Sequence, residues 1–386
     1  MKEILILGAG YAGMAATMAL SGRLKGREDV HLTLVNPQTR FTERLRLHQT
    51  ASGQTLTDFQ IPHRLAGTGV DFIQGWVTAI DADAQVVRVD DARTLRYDTL
   101  ICALGAVADT ATVPGVDEFA YTLDSVQDAE MLAQQLARLS DAPVVVAGGG
   151  LTGVESAAEI AEQHPDLDVV LLSRQEPGHM MGEKARARLC TGLERLGVQV
   201  RSGVEIVKVT PDGVALDDGE VVPAQAVLWT TGVRVSPIAA AAGLAVDDKG
   251  RILTDPALRS VSHPNVYAVG DAAAAHQRYG PLHGTCQSGI PTAMHAAASI
   301  VRELKGKQPK PFRFGYVHQP VSLGRRDAVI QFTRPDDAPG RFYLAGRMAV
   351  TYKETVSSSP WPTYRLLKVV PGFGSTMWRR GGRATK

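Results

Sequence analysis

One short pattern occurs twice in this chain, and it constrains the fold more than any other feature. KEILILGAGYAGMAATMAL opens the sequence, and PVVVAGGGLTGVESAAEIA begins at Pro143. Each copy is a brief apolar run of strand character, then G-x-G-x-x-G, then small residues at helical spacing. The glycines are Gly8, Gly10 and Gly13 in the first copy and Gly148, Gly150 and Gly153 in the second. The first glycine permits a tight turn, the second lets the backbone approach a pyrophosphate, and the third lets helix and strand pack closely. The helix N-terminus then offers amide donors and a positive dipole end to the phosphates. A lone copy also fits a glycine-rich turn in an ordinary α/β sheet. Two copies, each between a strand and a helix, make a pair of dinucleotide-binding units the stronger reading.

In such a unit the second strand ends beside the ribose, about 20–30 residues after the glycines. In the first unit that strand is HLTLVN, ending at Asn36, a neutral group that can still hydrogen-bond a ribose hydroxyl. In the second it is DVVLLSR, ending at Ser173 and Arg174. A carboxylate at this point accepts from the 2′-hydroxyl and repels a 2′-phosphate. A hydroxyl and a guanidinium do the reverse, so the residues lean toward NADPH over NADH. The plainer reading is that Arg174 faces solvent and the site is unselective.

With 386 residues the chain has room for two or more domains. DTLICALGA reads as a buried strand ending in a glycine turn, and VPGV, from Val113, as an exit linker. AVLWTTGV is a late strand of the second unit, and HPNVYAVGDAAA follows from His263. Its Gly270-Asp271 before a run of alanines predicts a carboxylate at a helix N-terminus. A helix is expected in IPTAMHAAASIVRELKG from about Ile290, and short strands such as AVIQFT and RFYLAG after about Phe314. The expected fold class is α/β, with two Rossmann-like units. The first spans 1–112 and 251–315 and is interrupted by the second at 113–250; a small C-terminal region, 316–386, follows.

Lys and Arg total 41 against 40 acids, a net charge of +1, so nothing draws the chain as a whole to nucleic acid. Cys102, Cys190 and Cys286 are far apart with no C-x-x-C, which argues against a dithiol relay and a zinc site and fits a reducing compartment. MKEILILGAG is too short an apolar run for a signal peptide, and no stretch reaches the ~18 apolar residues of a membrane span. A cytoplasmic location is expected, either free or at the inner face of the membrane.

GAGYAG, CALGA, VPGV, GGGLTGVESAAEIAE, VLWTTGV and NVYAVGDAAA occur in an order that resembles the two-dinucleotide-binding-domain flavoproteins of the pyridine nucleotide-disulfide oxidoreductase fold. Within them the chain is most similar to type II NADH:quinone oxidoreductases and the related apoptosis-inducing-factor-like quinone reductases. The resemblance covers about residues 1–300 and fades after about residue 315. It implies FAD on Gly8, Gly10 and Gly13, with Asn36 at the adenosine ribose, where the family usually carries an acid, and Asp271 on the ribityl chain. It implies the nicotinamide cofactor on Gly148, Gly150 and Gly153, and Glu155 where nicotinamide meets flavin. Residues Cys286 to Thr292 would cover the acceptor side, where the quinone reductases carry a glutamine-rich stretch and this chain has only Gln287. Motifs and resemblance together add Ala12, Ala103, Gly105, Thr152 and Gly232 to the expected cofactor-binding set.

The flavin carries the redox chemistry, so no side-chain nucleophile is required. Cys102 reads as a small core residue; Cys286, without a second nearby cysteine, carries little case for a redox role. Glu155 is also an ordinary residue for a helix start. Arg44, Arg46 and His48 alternate in FTERLRLHQTASG, which puts three cations on one face if the stretch is extended. That face would suit FAD phosphates or an anionic substrate; a solvated loop is the alternative. His283 and His295 flank the acceptor-side segment, and either can donate a proton to a reduced quinone, although a lone His is more often structural. After Glu354 the tail has no acid, six Lys/Arg, and Trp361, Tyr364, Phe373 and Trp378. This composition suits peripheral membrane contact, yet Pro360, Pro362 and Pro371 argue against a long amphipathic helix. Walling the acceptor pocket and forming a homodimer contact are the other readings. A quinone-like acceptor, a small iron–sulfur protein, and a slow-turnover flavin protein whose redox state controls partner binding all remain open.

Overall fold

The computed structural model describes residues 1–373. Each fingerprint seeds a parallel sheet. In the first, the order is Val266–Ala268, Thr99–Cys102, Lys2–Leu7, Val30–Asn36, Val70–Gln74. In the second it is Ala226–Trp229, Pro143–Ala147, Asp168–Ser173, Gln199–Ser202. These strands are near-continuous Val, Ile and Leu runs because both faces of a parallel sheet are covered. Ile4 to Leu7 and Val144 to Ala147 are all buried.

The repeat extends beyond the fingerprints. Each unit inserts a three-stranded antiparallel meander, Val77–Asp81, Val86–Val89 and Arg93–Arg96 ahead of Thr99–Cys102 in the first, and Ile206–Thr210, Gly213–Leu216 and Val221–Pro223 ahead of Ala226–Trp229 in the second. The first sheet is completed only when Val266–Ala268 returns beside Thr99–Cys102, so one α/β unit interrupts the other. Where the chain crosses between them, Ala106–Ala108 and Val233–Val235 pair as an antiparallel ribbon.

Beyond the second sheet segment, His318–Ser322, Ala328–Thr333 and Pro339–Ala345 form an antiparallel sheet, followed by helices Arg347–Ser358 and Pro360–Val369. The prolines delimit short helices in the tail, as expected: Pro360 starts a new 10-residue helix after the one ending at Ser358, at an N-terminal turn where no amide donor is missed, and Pro371 lies past its end. Trp361 and Tyr364 are core residues, packed with Phe41 and, for Trp361, stacked on Phe59 with ring centroids 4.8 Å apart. Trp378 lies outside the described residues. Among the described residues no helix is long and apolar enough to cross a membrane.

Two further expectations are corrected. The helix placed from Ile290 runs Cys286–Glu303, because Thr285 and Ser288 form a capping box at its start and Pro291 is tolerated inside it. The alanines after Asp271 form no helix. Gly270–Ala272 is one 3₁₀ turn, and Ala273–Ala274 is a short strand against Ile252–Leu253. Sheet pairing overrides alanine's helix propensity here.

Candidate functional site

Both fingerprints build the same cradle. A Cβ on Gly13 would sit 1.8 Å from the Gly8 carbonyl oxygen, and one on Gly153 1.8 Å from that of Gly148. Only glycine allows helix and turn to approach this closely. Gly10 and Gly150, in contrast, face open space with nothing within 4 Å of a built Cβ. Helices Tyr11–Arg23 and Leu151–Gln163 begin at these two glycines with no side-chain cap and no acid in the first turn. The amide donors and dipole ends therefore remain available to an anion, and the residues present fit a dinucleotide diphosphate at each cradle.

Around the first cradle, Ala9 donates its backbone N–H to Asn36 Oδ1 (2.9 Å), and Asn36 Nδ2 donates to the Gln38 carbonyl (2.8 Å). Asn36 thus holds the turn itself. Ala12 packs on Gly270, whose N–H donates to Thr292 Oγ1 at 3.0 Å. Next to it Asp271 is half-buried, and its carboxylate receives no hydrogen bond from the described residues. Burial pushes its carboxyl up, opposed by Arg44. An orphaned carboxylate beside the cradle fits a hydroxyl-bearing ligand such as the ribityl chain of FAD. Ala103 continues strand Thr99–Cys102, donating N–H to the Leu7 carbonyl of the central strand, and Gly105 turns left-handed (φ 69°) after it.

The second cradle opens into a cavity of about 600 Å³ lined by Gly148, Gly150, Ser173, Arg174, Glu205, Trp229 and Gly232. Thr152 and Gly153 are not part of that lining. The Ser173 hydroxyl donates to the Gln175 carbonyl at 2.7 Å, so its proton shapes the local turn. Arg174 is 71% exposed, and Glu205, which motif reasoning did not mark, stands 3.9 Å from its guanidinium.

Arg44, Arg46 and His48 do not share an extended face. Residues Arg44–Arg46 form a 3₁₀ turn and Leu47–Ala51 a short helix, so the three side chains diverge. Arg44 donates to the Ala106 carbonyl and pairs with Asp124 at 3.3 Å. Arg46 pairs with Glu354 at 3.0 Å. His48 is buried, and burial pushes its imidazole down to about 4.

His48 belongs to a buried polar group that sequence motifs only partly revealed. Glu155, one turn into the second fingerprint helix, lies 2.6 Å from the ammonium of Lys353, and both are buried. Ser322 donates to Glu155 from its backbone N–H (2.9 Å) and its hydroxyl (3.0 Å), and His48 Nε2 is 3.5 Å from the same hydroxyl. Burial alone would raise the Glu155 carboxyl. Lys353, then His48, outweigh it and hold the group below the ordinary carboxylate range. A parallel ion-pair chain runs beside it: Glu159 to Arg325 at 3.0 Å, and Arg325 to Glu354 at 2.8 Å. Lys353 carried no motif and was not singled out in the sequence.

Lys353 and Asp271 both act on the Cys286 thiol, which burial pushes up to about 11. The Cys102 thiol is also pushed up to about 11 by burial. Gln287 and His283 have other duties. The Gln287 carbonyl accepts from Val317 N (2.7 Å) and its amide donates to the His318 carbonyl (2.9 Å), so the side chain staples its helix to the third sheet. His283 is exposed, pairs with Asp337 at 2.9 Å and stacks on Tyr316. His295 meets the Lys310 carbonyl at 2.8 Å. Among the described residues no group of three or more His, Cys, Asp or Glu is placed to hold a metal.

Residues 2–299 match the family described as pyridine nucleotide-disulphide oxidoreductase. An NADH dehydrogenase-like protein of Mycobacterium tuberculosis is 30% identical over 353 residues, covering 85% of this chain and 87% of that one. The type II NADH:quinone oxidoreductase of Staphylococcus aureus is 26% identical over 392 residues, covering 92% and 94% respectively. The solved sulfide:quinone oxidoreductase of Aquifex aeolicus shares the fold, with a TM-score of 0.83 at 19% identity over 98% of this chain and 95% of that one.

Proposed function

The chain belongs to the pyridine nucleotide-disulphide oxidoreductase family, and we propose that it is a dehydrogenase that passes electrons from NAD(P)H to a quinone. That it is an FAD-dependent NAD(P)H dehydrogenase follows from the family and its relatives. The quinone is our reading, and one observation carries it: the buried Lys353 ammonium, held 2.6 Å from Glu155 one turn into the second fingerprint helix. FAD, when bound, accepts a hydride and returns one or two electrons. Quinone reduction also takes up protons and develops negative charge on oxygen. The Lys353 ammonium is a fixed, desolvated donor for such an oxygen, and Glu155 keeps it oriented. The cysteines suit a disulfide acceptor poorly. The Cys102 and Cys286 thiols are both pushed up by desolvation, and a protonated thiol is a weak nucleophile.

Gly10 and Gly150 admit the two diphosphates, and Asp271 accepts from a ribityl hydroxyl. We place a peripheral membrane contact at the end of the last described helix, where Leu366, Val369, Val370 and Phe373 are exposed. The test is anaerobic reduction of the FAD-loaded protein by NADH and by NADPH, then mixing with a soluble benzoquinone, glutathione disulfide or a small iron–sulfur protein. Fast reoxidation by the quinone alone is expected, and liposomes should co-sediment with the protein and speed turnover of a long-chain quinone. Reoxidation by the disulfide or the iron–sulfur protein without quinone activity overturns the reading.

A further inference from the structure

A second cavity, of about 590 Å³, lies between the second nucleotide unit and the C-terminal region and shares no lining residue with the first. Its wall includes Arg188 and Arg195 from helix Glu183–Arg195, Arg326 and Arg347 from the C-terminal region, and the carboxylates Glu162 and Asp327. Four guanidiniums face two carboxylates, leaving a formal charge of +2.

The carboxylates do not neutralise this wall. Asp327, 4% exposed, holds both Arg188 and Arg195, at 2.5 and 2.6 Å. Glu162 accepts the backbone N–H of Arg325. Arg326 and Arg347 have no carboxylate partner among the described residues. Arg188 Nη1 is buried with no hydrogen-bond partner. Arg347 also opens a 12-residue helix that starts at Gly346 with no side-chain cap and no acid in its first turn. Converging like charges, an unanswered buried donor and a free helix N-terminus all call for an anion.

We propose that this cavity binds a small organic phosphate monoester. A dianion answers the net +2, guanidinium forks match phosphate oxygens two at a time, and the volume exceeds that of a bare oxyanion. Because the wall comes from two parts of the fold, such a ligand ties the nucleotide unit to the region that carries Lys353.

The experiment is calorimetric titration of the FAD-loaded protein, saturated with NAD⁺ so that the first cavity is filled, using glycerol 3-phosphate, inorganic phosphate and glycerol. Glycerol 3-phosphate should bind with one-to-one stoichiometry and raise the melting temperature. Glycerol should not bind. The double variant Arg326→Ser, Arg347→Ser removes two exposed, unpaired cations and should keep the wild-type flavin spectrum while weakening glycerol 3-phosphate at least tenfold. Arg174→Ala should leave this binding unchanged. Absence of phosphate binding overturns the proposal. So does binding that survives the double variant or disappears with Arg174→Ala. Inorganic phosphate binding as tightly as glycerol 3-phosphate overturns the organic-ester assignment.

Discussion

Arg174 shows how one neighbour changes the meaning of a side chain. A guanidinium at the end of the second strand reads as a 2′-phosphate receptor, and a charge-assisted contact is worth on the order of 1.5–3 kcal/mol. In the fold, Glu205 stands 3.9 Å away and Arg174 is 71% exposed. An exposed pair of this kind contributes about 0–1 kcal/mol, and the carboxylate also repels a phosphate directly. The expected discrimination in favour of NADPH is therefore only a few-fold. Glu205→Gln should raise kcat/KM for NADPH several-fold with NADH little changed, and Arg174→Ala should lower NADPH toward NADH. Measuring both variants with both cofactors at fixed ionic strength decides it. Parallel changes for the two cofactors would remove Arg174 from the phosphate site.

Between elements, the decisive contact joins the second fingerprint helix to helix Arg347–Ser358. Glu155 and Lys353 meet at 2.6 Å with both side chains under a tenth exposed. Breaking such a pair from one side leaves a buried charge without a partner, a cost of about 3–5 kcal/mol, whereas replacing both partners by apolar groups is often near neutral. Lys353→Met should destabilise the FAD-loaded protein by that amount, and Lys353→Met with Glu155→Leu should recover most of it. Denaturant unfolding of the wild type, both single variants and the double closes the cycle. If Lys353→Met costs under about 1 kcal/mol, the pair does not hold the two helices together. The same double variant should remain slow with quinones, which separates the stabilising role from the proposed chemical one.

For the molecule as a whole, the buried imidazole of His48 and the partly buried one of His318 contribute to the response to acid. The imidazole of His48 falls from 6.5 to about 4 through burial, and His318 falls likewise. Above pH 6.5 the histidine is neutral in both folded and unfolded chains, so its contribution is full. Below 6.5 the unfolded chain takes up the proton first, and stability is lost progressively until about pH 4. At 1.36 kcal/mol per pH unit, His48 alone accounts for roughly 2 kcal/mol by pH 5. Glu155, held low mainly through Lys353 against the burial penalty, adds a loss at still lower pH. Urea midpoints between pH 7.5 and 5 should therefore fall, and His48→Gln should flatten the slope. A profile already flat in the wild type would show that His48 is not buried in its neutral form.

The repeated fingerprint was enough to predict two parallel sheets with a glycine turn in each, and the order of DTLICALGA, VPGV and HPNVYAVGDAAA predicted that one unit interrupts the other. Glycine spacing and apolar strand runs are local signals, and each acts within a few residues of where it is written. Asp271 was marked by the same kind of local signal, as an acid next to a glycine turn at a strand end. Tertiary structure alone decided the rest. Lys353 meets Glu155 because a helix near the chain's end folds back onto the second fingerprint helix, and nothing around Lys353 in sequence marks that contact. Gln287 and His283 looked available until the third sheet occupied them, and Trp361 and Tyr364 left the surface once Phe41 and Phe59 packed against them. Arg326 and Arg347 became one wall with Arg188 and Arg195 only when the C-terminal region met the second nucleotide unit. Long-range pairing of charges depends on which surfaces meet, and no local periodicity records it.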